Sequence, residues 1–244
     1  MSVKKLLVLS AAAFAAMGAT AAMAGGPDHM AMPSEPAFQN SVYLEGHLGY
    51  AQSNWADNNT SKLMGRAAVS SFLPTNNGKG GLTAGLDLGY NITQHIAVEG
   101  GWFYLPKVSG HGSNVSVGGV TETSATTLAI KSWLAYVAAK LSVPVMDHLN
   151  LFGKIGVGYR SLKNSFGGTT VNAALPALGT SGHYWAPVFG AGVQYDWNNW
   201  LVGAQYLYVP GNDAVNYGNA NFGAPDSAPE AHLYTGSIGY KFNV

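Results

Sequence analysis

Eight stretches of about ten residues, running from Val42 to Phe242, alternate apolar side chains with small or polar ones. A β-strand turns successive side chains to opposite sides, so each stretch predicts a strand with one apolar face. The first sets Val42, Leu44, Gly46, Leu48 and Tyr50 against Tyr43, Glu45, His47 and Gly49. In the second, Leu82, Ala84, Leu86, Leu88 and Tyr90 oppose Thr83, Gly85, Asp87, Gly89 and Asn91; in the third, Ile96, Val98, Gly100 and Trp102 oppose Ala97, Glu99, Gly101 and Phe103. The fourth, from about Leu128 to Val143, divides Val137, Ala139, Leu141 and Val143 from Tyr136, Ala138, Lys140 and Ser142. Pro144 is expected to end it, because proline cannot donate to a ladder.

The fifth separates Leu149, Leu151, Ile155, Val157 and Tyr159 from Asn150, Phe152, Lys154, Gly156, Gly158 and Arg160. The sixth covers about Tyr184 to Tyr195 with Phe189, Ala191, Val193 and Tyr195 on the apolar face, and Pro187 inside it predicts a bulge or an irregular end. The seventh opposes Val202, Ala204, Tyr206 and Tyr208 to Gly203, Gln205 and Leu207. The eighth opposes Tyr234, Gly236, Ile238, Tyr240 and Phe242 to Thr235, Ser237, Gly239 and Lys241.

Connections after the second, fourth and sixth strands are tight turns of about four or five residues. Those after the first, third, fifth and seventh run to about twenty or more: Ser53 to Lys79, Lys107 to Ala125, Leu162 to Gly182 and Pro210 to Ala231. Charge falls on the Gly-rich faces, and the apolar faces suit lipid. No stretch past the leader has the roughly twenty apolar residues of a membrane helix, so only a closed barrel satisfies the backbone inside a bilayer. The expected fold is all-β, an eight-stranded antiparallel up-and-down transmembrane β-barrel with long extracellular loops and short periplasmic turns.

Aromatic positions agree with that frame. Tyr90, Tyr195, Trp200, Tyr240 and Phe242 fall near the short turns, and Trp102, Trp133 and Tyr208 near the long loops, as two girdles at headgroup level. Ahead of the strands, Lys4 and Lys5, the apolar run Leu6 to Ala22 and the small residues Ala22-Met23-Ala24 read as a cleaved signal peptide over 1–24. Residues 25–40, with Pro27, Pro33 and Pro36, read as a flexible periplasmic extension, and 41–244 as the barrel in the outer membrane of a Gram-negative cell. Charged residues make up 10% of the chain, against about 25% in a soluble domain, and 12 acidic side chains balance 12 basic ones, which argues against a nucleic-acid partner.

The inward charges are Glu45, Asp87 and Glu99 against Lys140, Lys154 and Lys241, with Arg160 nearer the loop rim and His47 beside them. Glu99 and Lys140 lie on adjacent strands and are expected to pair. Glu45 and Asp87 repel unless a lysine stands between them, for which Lys154 or Lys241 is the candidate. An eight-stranded barrel has room for side chains and no open channel, which makes this set a salt-bridge plug; a narrow or gated ion path is the other reading. Without cysteine there is no disulfide, thiolate metal site or thiol nucleophile. Of seven histidines only His111, His183 and His232 fall near the outer rim, and no cluster has metal spacing, so no enzyme, cofactor or metal is expected.

The leader, the eight strands, the four long loops and the last strand, Leu233-Tyr234-Thr235-Gly236-Ser237-Ile238-Gly239-Tyr240-Lys241-Phe242, together resemble the OmpA-type transmembrane domain of small outer-membrane barrels. The resemblance implies that the barrel-assembly machinery recognises this last strand. It implies no tether to the cell wall, since the peptidoglycan-binding domain of full-length OmpA proteins has no counterpart. Partners expected from placement are outer-membrane lipid and lipopolysaccharide, and a host or surface ligand at the outer loops. A structural or surface-interaction, adhesin-like role carried by those loops is the resulting expectation, with a small porin passing ions or solutes as the alternative.

Overall fold

The computed structural model describes residues 40–54, 68–74, 79–117, 120–122, 126–167, 181–212, 215 and 228–243. The expected signal peptide, nearly all of the extension and the middles of three of the long connections lie outside them. In chain order the strands are β1 (Ser41–Gln52), β2 (Ala68–Pro74), β3 (Gly80–Asn91), β4 (Ile96–Val117), β5 (Val120–Glu122), β6 (Thr126–Met146), β7 (Leu149–Gly167), β8 (Ser181–Trp197), β9 (Trp200–Val209) and β10 (Ala231–Asn243). Eight of them, all but β2 and β5, form an antiparallel ring in the order β1, β3, β4, β6, β7, β8, β9, β10. The ring closes where β1 meets β10, from Ser41↔Asn243 to Gln52↔His232.

Burial alternates along these strands with the phase set by the apolar pattern. Leu44, Leu48, Leu82, Leu86, Leu88, Val137, Ile155 and Ile238 are exposed, whereas Tyr43, Glu45, Asp87, Glu99, Phe103 and Lys154 are buried. A soluble protein would not leave so many large aliphatics outside; here they form the lipid face of the ring. Tyr90, Trp102, Trp133, Tyr195, Trp200 and Phe242 stand exposed on that face, and Tyr208 and Tyr240 are half-buried among neighbouring rings.

The turn rim is tight. Ile92 to His95 link β3 to β4, with the Thr93 hydroxyl accepting from the Ile96 amide at 3.0 Å. Two-residue turns join β6 to β7 and β8 to β9, each using one left-handed residue, His148 (φ 66°) and Asn198 (φ 56°). Such φ values match the twist of a two-residue hairpin.

Two proline expectations change. Pro144 does not end its strand: it pairs with Asn150, and β6 continues to Met146 after a one-residue bulge. Pro187 causes no bulge, because the β7–β8 ladder runs through Val157↔Pro187 without a register shift. Pairing of β8 with β9 begins only at Phe189, so on that side Pro187 lies on an edge where a missing N–H costs no rung. A second bulge falls in β4, where Pro106 and Lys107 together oppose Lys131.

The expected loop Lys107 to Ala125 is mostly sheet, since β4 and β6 stay paired out to Gly112↔Thr126. β2 and β5 add to β4 at that end, and β7 runs on to Gly167. The wall is therefore tall along β4, β6, β7 and β8 and low along β9, β10, β1 and β3.

Close approach of β6 and β7 requires glycine at 156, where a Cβ would meet the Val137 carbonyl and the Ala138 backbone. Gly156→Ala is expected to cost about 1–3 kcal/mol by forcing the two strands apart. Urea unfolding in lipid, read as the shift in unheated electrophoretic mobility, checks this, and a midpoint equal to wild type would contradict it.

Candidate functional site

The lower half of the lumen is a polar cluster that six strands supply. β1 provides Tyr43, Glu45 and His47, β3 Asp87, β4 Glu99, β6 Tyr136 and Lys140, β7 Lys154 and β9 Gln205, all buried. Lys154 is its centre. Its Nζ lies 2.6 Å from Glu99 Oε1 and 3.1 Å from Asp87 Oδ2 and donates to Gln205 Oε1 at 2.7 Å, which employs all three ammonium protons. Asp87 Oδ2 also accepts from the Tyr136 hydroxyl at 2.8 Å. Gly101 makes this possible, because a Cβ there would strike the Asp87 carboxylate and the Tyr136 ring.

Lys140 stands to one side. It donates to Gln194 Oε1 at 2.7 Å and lies 3.7 Å from Glu99 Oε2 and 4.0 Å from Glu45 Oε2. The rings of Tyr43 and Phe152 flank its ammonium, with centroids 4.8 and 4.5 Å away. The expected Glu99–Lys140 approach is thus the looser of two, and Lys154 is the nearer partner of Glu99. Lys154 also supplies the cation that Asp87 needs beside Glu45. Lys241, half-buried at the turn rim, makes no ion pair with a described residue.

Glu45, His47 and Asp87 each place one candidate metal-ligand atom within 4.8 Å of the others. The hydrogen-bond network argues against a metal centre. Lys154 can only donate, so Gln205 must turn its oxygen to Lys154 and its amide nitrogen to His47 Nδ1, 3.1 Å away. That assigns Nδ1 as the acceptor and puts the ring proton on Nε2, 3.1 Å from Asp87 Oδ2. A metal at Nε2 would need the proton on Nδ1, facing the Gln205 donor.

Above the polar cluster the lumen turns apolar. Phe103, Leu105, Val108, Ile130, Leu134, Leu162, Val188, Leu207, Val209 and Leu233 fill it, and Val215 and Ala228 from the last connection join them. Arg160 is embedded in this upper layer, fully buried and six residues beyond Lys154 on β7. It donates to the Pro229 carbonyl, to the Tyr184 hydroxyl at 3.1 Å and to Ser132 Oγ at 3.3 Å, and pairs with no carboxylate among the described residues. Tyr184 in turn donates to the Pro210 carbonyl at 3.1 Å. Arg160 therefore belongs to a separate group that ties both ends of the last connection to the wall.

A second tie lies on the outward side. The Tyr206 hydroxyl lies 2.7 Å from His232 Nδ1, His232 Nε2 lies 3.1 Å from Glu230 Oε1, and Tyr208 donates to Glu230 Oε2 at 3.1 Å. Burial draws the Glu230 carboxyl upward, but the His232 and Tyr208 hydrogen bonds outweigh it and hold the group below the ordinary carboxylate range. The other rim histidines divide: His183 stacks on Tyr159, 5.4 Å between ring centroids, and the His111 side chain lies outside the described residues. Sequence reading left out Gln205, Gln194 and Tyr136 as partners of the charges, although Gln205 and Tyr136 carried the signal of an inward phase.

Residues 7–243 match the model of the outer membrane protein beta-barrel domain. The chain belongs to that family. As a member of this outer-membrane barrel family it sits in the Gram-negative outer membrane. No curated protein matches the chain. Solved barrels of similar fold include Ail, the attachment invasion locus protein of Yersinia pestis, crystallised with the heparin analogue sucrose octasulfate (15% identity, 84% of this chain and 100% of that one, TM-score 0.42). Others are OprG from Pseudomonas aeruginosa (15%, 84% and 97%, TM-score 0.45) and Neisserial surface protein A (12%, 85% and 100%, TM-score 0.44).

Two measurements test the site of this family barrel. Lys154→Met strands two buried carboxylates and is expected to cost about 3–5 kcal/mol. A double-mutant cycle between Glu99 and Lys154 is expected to return a larger coupling than one between Glu99 and Lys140, and equal couplings would contradict the ranking of the two contacts.

The outward tie should respond to acid. A carboxyl whose folded pKa is depressed contributes stability above its unfolded value, about 4.3, and that contribution is lost as pH falls through the folded value. The stability gap between wild type and Glu230→Gln is therefore expected to close as pH drops below about 4. A gap that stays constant in thermal melts across that range would contradict the assignment.

Proposed function

We propose that the protein is a surface-exposed structural or interaction barrel whose specificity lies in the elements rising above the outer rim. One observation carries this reading: the lumen is filled by two stacked layers, a polar cluster beneath an apolar one. An ion that passed the lower charges would still have to cross the layer of Phe103, Leu134, Val188, Leu207 and Leu233, each fully buried. Apolar constrictions oppose ion passage, because a permeating ion keeps its hydration there only at high cost. A conduit is therefore the weaker reading. The tall wall of β4, β6, β7 and β8 gives outer segments a rigid base, the usual arrangement in which loops on a stiff scaffold carry recognition.

In planar bilayers the purified barrel is expected to show no steady single-channel openings. Openings that shift when Lys140 is neutralised would overturn the proposal in favour of a small porin. The complementary test replaces the long connections with tight turns. Such a barrel is expected to assemble and keep its heat-modifiable mobility while losing surface-attachment or envelope-integrity phenotypes of the intact protein.

A further inference from the structure

Three lysines form a row on the outward face of the tall wall. Lys131 of β6 and Lys163 of β7 are direct cross-strand partners, and Lys107 of β4 shares with Pro106 the bulge opposite Lys131. All three side chains are exposed. None makes an ion pair or hydrogen bond with another described residue. Like charges placed opposite one another on a sheet repel, so the bare protein gains nothing from this arrangement.

The bulge is what completes the row. Below it the odd-numbered residues of β4 point inward, as Glu99, Phe103 and Leu105 do; above it Val108 is the buried residue, and Lys107 is turned outward. Adjacent strands lie about 4.8 Å apart, so the three lysines span roughly 10 Å, a width suited to one or two phosphate groups. Ser181 of β8 is the next member of the same row, paired with Lys163 and also exposed.

Height identifies the partner class. The rung two residues below contains Tyr104, Trp133, Ser161 and His183, and the next Trp102, Ala135, Tyr159 and Trp185. Trp133, Tyr159 and Trp185 pack on one another at centroid separations of 5.7 and 5.3 Å. These rings mark the interface, so the lysines one rung higher, about 7 Å along the strand, are at the level of lipid headgroups. We propose that Lys107, Lys131 and Lys163 bind the phosphates of an anionic lipid headgroup in the outer leaflet.

The test uses the full chain refolded into phosphatidylcholine nanodiscs doped with lipid A, a doubly phosphorylated glycolipid, with native mass spectrometry reading how much lipid A is retained. Each of Lys107→Gln, Lys131→Gln and Lys163→Gln is expected to lower retention about fivefold, and the triple variant about a hundredfold, while Lys79→Gln, an exposed lysine elsewhere on the rim, leaves it unchanged. A stability crossing is expected as well. In phosphatidylcholine alone Lys131→Gln melts at or above wild type because repulsion is relieved, and with lipid A present wild type melts higher. Equal lipid A retention by wild type and the triple variant, or the absence of a crossing, would overturn the proposal. Lysine-dependent capture of soluble polyphosphate by discs of phosphatidylcholine alone, with lipid A retention unchanged in the triple variant, would overturn the assignment to lipid.

Discussion

The structure depends on the seam between β1 and β10. Twelve register pairs there close the ring, and closure removes the last row of unpaired amides and carbonyls from the bilayer. Everything else follows from that constraint. Eight strands enclose a lumen only as wide as the side chains that fill it, and strict alternation sends every second residue into it. Whatever is inward must then be packed and charge-compensated within the ring, since neither lipid nor bulk water can do it.

Lys154 is where that requirement is met most densely. It touches two carboxylates and orients Gln205, which fixes the tautomer of His47, which faces Asp87 again. Asp87 Oδ2 closes the circuit, because it accepts from Lys154 itself. Changes at this lysine therefore reach four strands at once. Lys140, with one hydrogen bond and two longer approaches, supports the edge of the same cluster.

Much of this was legible in the sequence, and the boundary of legibility is physical. Period two assigns faces without knowledge of neighbours, so Glu45, Asp87, Glu99, Lys140, Lys154 and Arg160 could be placed inside from their phase alone. Which of them meet across the lumen depends on the stagger of non-adjacent strands, and no local pattern encodes that; hence Glu99 pairs most closely with Lys154 of β7, two strands from β4, and less closely with Lys140 of the adjacent β6. Arg160 shares a face with Lys154, yet six residues of rise carry it into the apolar layer. Prolines misled for a related reason. Pro187 is harmless because β9 stops short of it, and Pro106, which sequence reading passed over, lies where β4 gains a residue and reverses its phase.

The two layers of the lumen also divide its charge. The lower cluster holds three carboxylates, Glu45, Asp87 and Glu99, against two ammonium groups, Lys140 and Lys154, while the guanidinium of Arg160 is held apart in the upper layer by carbonyl and hydroxyl acceptors. Around Arg160 those acceptors take the place that carboxylates hold around the two lower lysines. The backbone sets this separation, since Arg160 lies six residues beyond Lys154 on β7, and the apolar side chains fill the space between. Arg160 holds Pro229, and through Tyr184 holds Pro210, with no carboxylate among the described residues competing for it. The outer end of the barrel is therefore fastened by a charge that the lower cluster leaves unclaimed.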